Sequence, residues 1–510
     1  MYNKITTILQ SGMKMVLVTV EADVRNGMPL FEMVGFLTSE VKEAKARVIT
    51  AIKNSGILIP AKRITVNMTP ANIRKSGSGC DFPITIAVLA SFGILTVSEL
   101  QDTIFIGEIG LNGDILPVEN SFSMGLFAKE QGFCKLVVPK ENEREFCMIP
   151  GISVMGIRSL SEYLSHVKNN FIQMSEGSAI VTDPSYQMDF KEIKGQYFAR
   201  KAAEISAAGM HHLLLIGPPG SGKTMIAKRI PTILPSLTSP ELLEINKIYS
   251  MMGDFRSEDG YKTFRPCRIP NSNITETALI GGGRYPHPGE VSLAHNGVLF
   301  LDEFSEFSIK VIESLREPLE DGQIRISRAE GSITFPSRFL LVAAMNPCRC
   351  GYYPDLNRCN CSVRSLSRYS ARISKAILDR FDLSVEVKEV SYEDLVPSEK
   401  EESSEQIRTR VEQAVVQQRE RYEKETFCYN AQIPASRLPV YCKLDARTED
   451  YAKSIFQEYK LSVRGYHKIL RVARTIADLE KESEIQYRHL QEAVTFRTIN
   501  HNYWKGTANV

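Results

Sequence analysis

The stretch Gly217-Pro218-Pro219-Gly220-Ser221-Gly222-Lys223-Thr224 lies between an apolar run, His212 to Ile216, and a helix-like segment, Met225 to Ile230. The order is strand, glycine loop, helix. Such a loop turns successive backbone N–H groups towards phosphate oxygens, with glycine where the chain bends sharply or approaches the ligand closely. Lys223 is expected to reach the outer phosphates and Thr224 to ligate Mg²⁺. Its place between a strand and a helix favours a phosphate loop over a bare glycine-rich turn.

At 510 residues, 43% hydrophobic and 24% charged, the chain has material for several cores and about three domains. A formal net charge of +2 argues against a globally basic nucleic-acid coat but leaves room for basic patches. The first residues lack the architecture of a cleavable signal, and no apolar run reaches the roughly 18 residues of a membrane span. A soluble cytoplasmic protein without membrane contact is expected. Ten cysteines in such a chain read as reduced thiols, apart from one cluster.

Downstream of the loop, Gly297 to Glu303 is an apolar strand ending in two carboxylates. Asp302 is expected to hold Mg²⁺, usually through water, and Glu303 to polarise the attacking water. Phe339 to Asn346 is another apolar strand with a polar end; it resembles the sensor strand of AAA+ ATPases, which implies that Asn346 helps hold the water and the γ-phosphate. Ile377 to Asp382 resembles the region in which AAA+ ATPases carry an arginine finger, which implies that Arg380 is the finger, acting across a subunit boundary and requiring the protein to oligomerise. Its alternative is an ion pair with Asp379 or Asp382. Ser462 is expected to cap a helix running to Leu479, with positions 466, 469, 470, 473, 476 and 477 forming its apolar face. Arg464, in its first turn, resembles the second sensor of AAA+ lids, an arginine that reaches nucleotide; a solvated arginine is the alternative.

Four cysteines follow Asn346: Cys348 and Cys350, then, after eight intervening residues, Cys359 and Cys361. Two thiol pairs closing a short loop suit structural Zn²⁺ as four thiolates, free thiols being the alternative. Between the nucleotide motifs, Gln323 to Phe335 alternates apolar and polar residues about a short turn and reads as a hairpin. Ile324 and Ile326 would anchor it, leaving Arg325 and Arg328 to grip a nucleic-acid backbone; pairing of Arg328 with Glu330 is the bland reading.

Before all this, strands at 16–20 and 64–68, a helix from Ser39 to Asn54 capped by Ser39, and a hairpin about Asn112-Gly113 form a domain of their own. Its wording, Gly107-Glu-Ile-Gly-Leu-Asn-Gly-Asp-Ile-Leu-Pro-Val118 and then Lys135-Leu-Val-Val-Pro-Lys140, resembles the proteolytic domain of Lon proteases over about residues 15–165. Lon proteases cleave with a serine and a lysine. The matching positions here are Asp81 and Phe122, neither of which can do that work, so no peptidase activity is expected. Ser76, Ser78 and Ser121 lie nearby, but Asp81 is expected simply to cap the following helix.

The segment Asp189 to Thr224 resembles the entry to AAA+ ATPases, and the stretch Leu279 to Gly297 together with the hairpin resembles their helix-2-insert branch. Taken with Gly289 to Phe304, Ala343 to Pro354 and Leu461 to Leu479, the chain resembles the ComM/YifB family of magnesium-chelatase-like AAA+ proteins over nearly its whole length. The departures are Arg349 for a common proline and Lys375-Ala376 for the usual Gly-Pro. The resemblance implies an α/β protein with an N-terminal Lon-protease-like, S5-like α+β domain (1–167), a linker (168–188), an AAA+ core with the cysteine cluster (189–390), an acidic linker (391–406) and a C-terminal helical lid (407–510). It further implies ATP and Mg²⁺ as ligands and a homo-hexameric ring, assembly of which ATP and DNA would promote. Single-stranded and branched DNA would be the substrate, with branch migration in recombination and natural transformation as the role and recombination proteins as partners. A metal-insertion motor for tetrapyrroles and a protein-remodelling ATPase are the alternatives.

Overall fold

In the computed structural model the residues described are 1–11, 14–73, 75, 79–96, 100–169, 174–178, 187–252, 261–283, 286–328, 331–390 and 401–505. They fall into two compact units. The first comprises Met1–Val181, Leu242–Tyr261 and Ser327–Ile333, and the second Thr182–Glu241, Lys262–Ile326 and Thr334–Val510.

The first unit is built on an eight-stranded mixed sheet. Its longest pairing is antiparallel, between Tyr2–Ser11 and Lys14–Arg25. In the second of these strands Val18, Val20, Ala22 and Val24 are buried while Thr19, Glu21 and Asp23 are not, the period-two pattern of a sheet with one covered face. Helix Asp81–Ser91 packs on both strands, and every one of its residues is buried. The hairpin about Asn112-Gly113 forms between Glu108–Ile109 and Ile115–Leu116, whereas Thr103–Phe105 leaves it to join the main sheet.

Two helix starts differ from expectation. Helix Ser39–Asn54 has Thr38, not Ser39, at its cap position. Asp81 is the first residue of its helix and makes no cap; its carboxylate instead takes a two-pronged contact from Arg47, Nε to Oδ2 at 2.6 Å and Nη2 to Oδ1 at 3.1 Å. A fully buried carboxylate gains more from a paired guanidinium than from one backbone N–H. Burial pushes the Asp81 carboxyl up to about 6 against the pull of Arg47. Phe122 is fully buried, its ring edge-on to Tyr261. Ser121 is buried with no partner for its hydroxyl among the described residues, and Ser76 and Ser78 lie outside those residues.

The second unit holds a five-stranded, all-parallel sheet in the order Cys267–Arg268, Val298–Leu301, Leu340–Met345, Leu213–Ile216, Leu383–Glu386. The central strands are unbroken apolar runs because helices cover both faces of a parallel sheet. The C-terminal helices Ser404–Arg421, Ala446–Glu458, Val463–Leu479 and Tyr487–Lys505 follow, and their apolar faces join the hydrophobic core of the sheet. Ser403 and Gln406 form a reciprocal capping box, so the first of these helices starts inside the segment read as an acidic linker, of which 391–400 lie outside the described residues. Mixed α/β structure with a parallel sheet and C-terminal helices is the expected class. Among the described residues no helix is long and apolar enough to cross a membrane.

Candidate nucleotide site

Three neighbouring strands of the parallel sheet end side by side, and each end carries one part of the site. After Leu213–Ile216 the chain enters the glycine loop, where Gly220 and Gly222 have φ of 76° and 92° with nothing within 4 Å of a Cβ. Those two need glycine for conformation. Gly217 needs it for space, since a Cβ there would lie 2.1 Å from the Val387 carbonyl oxygen. Helix Lys223–Arg229 leaves the loop directly.

Lys223 folds back into the loop, its ammonium donating to the carbonyls of Gly217 (2.9 Å) and Pro218 (2.7 Å) and to Asn346 Oδ1 (3.2 Å). Burial lowers its pKa, with Asp302 opposing. Thr224 Oγ1 donates to Asp302 Oδ2 at 2.8 Å, and Asp302 Oδ1 accepts the N–H of Glu303 at 3.0 Å. Glu303 is exposed and has φ of 49°, a left-handed backbone that turns its side chain off the strand line. Lys223, Thr224, Asp302 and Asn346 thus converge, with Glu303 next to Asp302 at the strand end and Pro218, Pro219 and Ser221 in the loop. A basic head, a hydroxyl and carboxylates meeting at the C-terminal ends of parallel strands suit a nucleotide phosphate with a divalent ion.

Two braces escaped the sequence reading as site residues. Tyr369 donates its hydroxyl to the Asn346 carbonyl at 2.9 Å and meets Ser305 Oγ at 2.7 Å, and burial pushes its pKa up to about 12. Gln196 ties the loop to the last strand, its amide nitrogen donating to the carbonyls of Ser221 (3.2 Å) and Lys388 (2.5 Å). Both contacts join segments far apart in the chain, and for Tyr369 no local pattern signals the role.

Arg380 and Arg464 lie elsewhere in the same unit. Both line a cavity of about 540 Å³ that includes Glu320, Asp382, Lys468 and Arg471 and none of the phosphate-loop residues, Asp302, Glu303 or Asn346. Both pair with Glu320, Arg464 at 3.1 Å. The carboxylates proposed as bland partners for Arg380 are taken by others: Asp379 by Arg497 at 3.3 Å and Asp382 by Lys468 at 2.9 Å. Burial pushes Asp382 up, yet Lys468 and His211 outweigh it and hold the carboxyl well below its ordinary range. Ser462 caps its helix, accepting the Gly465 N–H at 3.1 Å, and Ile469, Leu470, Ala473, Ile476 and Ala477 are buried on the expected face.

The sulfurs of Cys348, Cys350, Cys359 and Cys361 all lie within 4.8 Å of one another. Cys348 is 3.3 Å from Cys350 and 3.8 Å from Cys359, and Cys350 is 3.6 Å from Cys359. Four thiolates at Zn–S of about 2.3 Å stand about 3.8 Å apart in a tetrahedron, so the cluster fits that ion. The N–H groups of Gly351 and Tyr353 point at the Cys348 sulfur, at 3.2 and 3.4 Å, which suits a charged sulfur.

Strands Gln323–Arg328 and Gly331–Pro336 pair with each other. Ile324 and Ile326 are buried and Arg325 is exposed. The side chain of Arg328 lies outside the described residues.

Comparison with known proteins places these features in a lineage. The family described as "Magnesium chelatase, subunit ChlI" matches residues 189–395, its C-terminal counterpart matches 401–497, and "Subunit ChlI of Mg-chelatase" matches 20–142. YifB of Escherichia coli (strain K12) is 39% identical over 95% of this chain and 94% of its own length. Competence protein ComM of Haemophilus influenzae is 38% identical over 96% of each. The magnesium-chelatase 38 kDa subunit of Rhodobacter capsulatus is 24% identical over 60% of this chain and 85% of its own length. Identity of 38–39% over nearly the whole chain, with the magnesium-chelatase models matching its parts in turn, shows that this chain belongs to the ComM/YifB family of magnesium-chelatase-like AAA+ proteins.

Proposed function

We propose that the protein is an ATP-driven DNA motor that assembles as a homo-hexamer and moves strands at branched junctions during recombination, with natural transformation as the setting that the similarity to competence protein ComM suggests. The observation that carries this reading is the division of the site. Lys223, Thr224, Asp302, Glu303 and Asn346 gather at the strand ends, while Arg380 and Arg464 line a separate cavity of the same unit. A chain so arranged has the binding half of one site and the arginines for another, and a ring of copies joins the two.

In this reading Mg²⁺ and the ATP phosphates would be held by the loop, Lys223, Thr224 and Asp302. Glu303 orients the attacking water, Asn346 keeps Lys223 and that water in place, and the arginines offset charge developing on the γ-phosphate. The helix-2-insert hairpin grips DNA backbone through Arg325 and Arg328. Cys348, Cys350, Cys359 and Cys361 would hold Zn²⁺ and so tie the loop after Asn346. The front unit is a Lon-like scaffold with no peptidase chemistry, because Asp81 is locked to Arg47 and Phe122 is core.

ATPase rate with and without single-stranded and branched DNA tests the reading. The wild type is expected to be stimulated by DNA. Glu303→Gln should bind ATP and lose about a hundredfold or more in turnover, whereas Lys223→Ala should fail to bind. Near-normal turnover by Glu303→Gln would sink the assignment. The match of 189–395 and 401–497 to magnesium-chelatase models favours a metal-insertion motor as the second reading. Stimulation by a porphyrin and not by DNA would choose it; stimulation by a protein alone would choose remodelling.

A further inference from the structure

Helix Arg316–Asp321 ends at Gly322, whose φ of 62° turns the chain into strand Gln323–Arg328. From its last turn Glu320 reaches both arginines. One oxygen, Oε1, accepts from Arg464 Nη2 at 3.1 Å and pairs with Arg380 Nη2. The partners differ in access to water, the Glu320 side chain being 45% exposed and that of Arg380 9%. Arg380 is otherwise pinned: Nη1 donates to the Ala376 carbonyl at 3.1 Å, and its own carbonyl accepts from Lys468 Nζ at 2.6 Å. Its Nε is buried without a hydrogen-bond partner among the described residues.

A buried guanidinium nitrogen without an acceptor is costly and asks for a reason. Two guanidiniums sharing one carboxylate oxygen leave donors over. A phosphate offers three oxygens and more charge, enough to meet Arg380 Nη2, Arg380 Nε and Arg464 Nη2 together. Glu320 can return to water at small cost because it is half exposed. Arg380 cannot give up an anionic partner without leaving an uncompensated buried charge.

We propose that Glu320 is a positioning residue that stands in for a γ-phosphate: it holds Arg380 and Arg464 in the unliganded subunit and yields them to the nucleotide of a neighbouring copy. This rests on the reading that the two arginines serve a neighbour's site. Glu320 then competes with that nucleotide, so nucleotide is bound at the interface more weakly than the arginines alone would allow.

The test compares thermal midpoints of the full chain without nucleotide and with Mg²⁺ and a non-hydrolysable ATP analogue, alongside the apparent KM for ATP. Glu320→Gln should melt lower than wild type without nucleotide, because Arg380 loses its anion. With the analogue the deficit should vanish, and KM should fall about threefold to tenfold. Glu320→Asp, which keeps the charge but is too short to bridge both arginines, should be intermediate and covers the case in which Glu320→Gln does not fold. An equal deficit with and without the analogue, or a raised KM, would make Glu320 merely structural and overturn the proposal. The parent reading is checked separately by mixing Arg380→Ala with Lys223→Ala subunits. Recovered ATPase beside a wild-type-like Glu320→Gln sinks only the stand-in role; no recovery sinks the reading beneath it.

Discussion

Gly351 sits where a methyl group has no room. Its φ is 92°, and a Cβ there would fall 2.3 Å from Pro219 Cδ, inside the phosphate loop. Gly220 and Gly222 share the positive φ but have open space around them, so the demands on the three glycines differ. Alanine at 351 adds backbone strain and pushes on the loop that must close around phosphates. Gly351→Ala is therefore expected to weaken nucleotide binding by about tenfold, as read by titration with a fluorescent ATP analogue. Wild-type affinity would mean that the cysteine loop gives way and the contact carries no load. The residues at 217–224, 302 and 346 were legible in the sequence because strand, loop and polar strand end recur in a fixed local order. Gly351 was not, since its constraint comes from a proline far away in the chain.

Among the elements, the segment from Cys348 to Cys361 is the most exacting, because four sulfurs from two short pairs are brought within 4.8 Å while the loop between them rests on Pro219. An apolar core does not account for that convergence, since Cys350, Cys359 and Cys361 are only partly buried. Protein purified without chelator is expected to contain one Zn²⁺ per chain by metal analysis, and Cys359→Ser with Cys361→Ser should abolish it. Stripping the metal should also lower nucleotide affinity, through Gly351 and Asn346 at the two sides of the site. Zinc-free protein with intact affinity would remove the ion from the account. Elsewhere, element prediction succeeded where periodicity was strong, as in helix Val463–Leu479. It missed strand Tyr2–Ser11, whose polar residues obscure the alternation and whose pairing with Lys14–Arg25 supplies what its own sequence does not signal. Asp81 misled for a similar reason: an acidic residue at a helix start is ordinarily a cap, and Arg47 on another helix claims it.

Under the proposed function the γ-phosphate chemistry is divided between copies of the chain. Arg380 and Arg464 sit in a cavity that shares no lining residue with the cluster of Lys223 and Asp302, so a single copy is not expected to turn over ATP efficiently. Arg380→Ala alone should lose about a thousandfold in ATPase rate, and Lys223→Ala alone should be inactive for want of nucleotide. Mixed, they should recover part of the activity, since some interfaces then pair an intact loop with an intact arginine. Titrating the ratio while following ATPase and native mass gives the ring size. A flat response at every ratio is the adverse result.

Phosphate chemistry was readable from the chain because a loop, its lysine and its hydroxyl are neighbours in sequence, held by strand and helix signals on either side. The same holds for the four thiols, whose two pairs are closed by a short loop. What sequence could not supply was the partner of each long side chain. Arg380 had Asp379 and Asp382 as its nearest candidates and pairs with neither, because Arg497 and Lys468 on the C-terminal helices reach those carboxylates and Glu320 comes in from a separate helix. Local signals follow backbone geometry over a few residues, whereas charge pairing in a buried cavity depends on which segments folding has brought within about 4 Å.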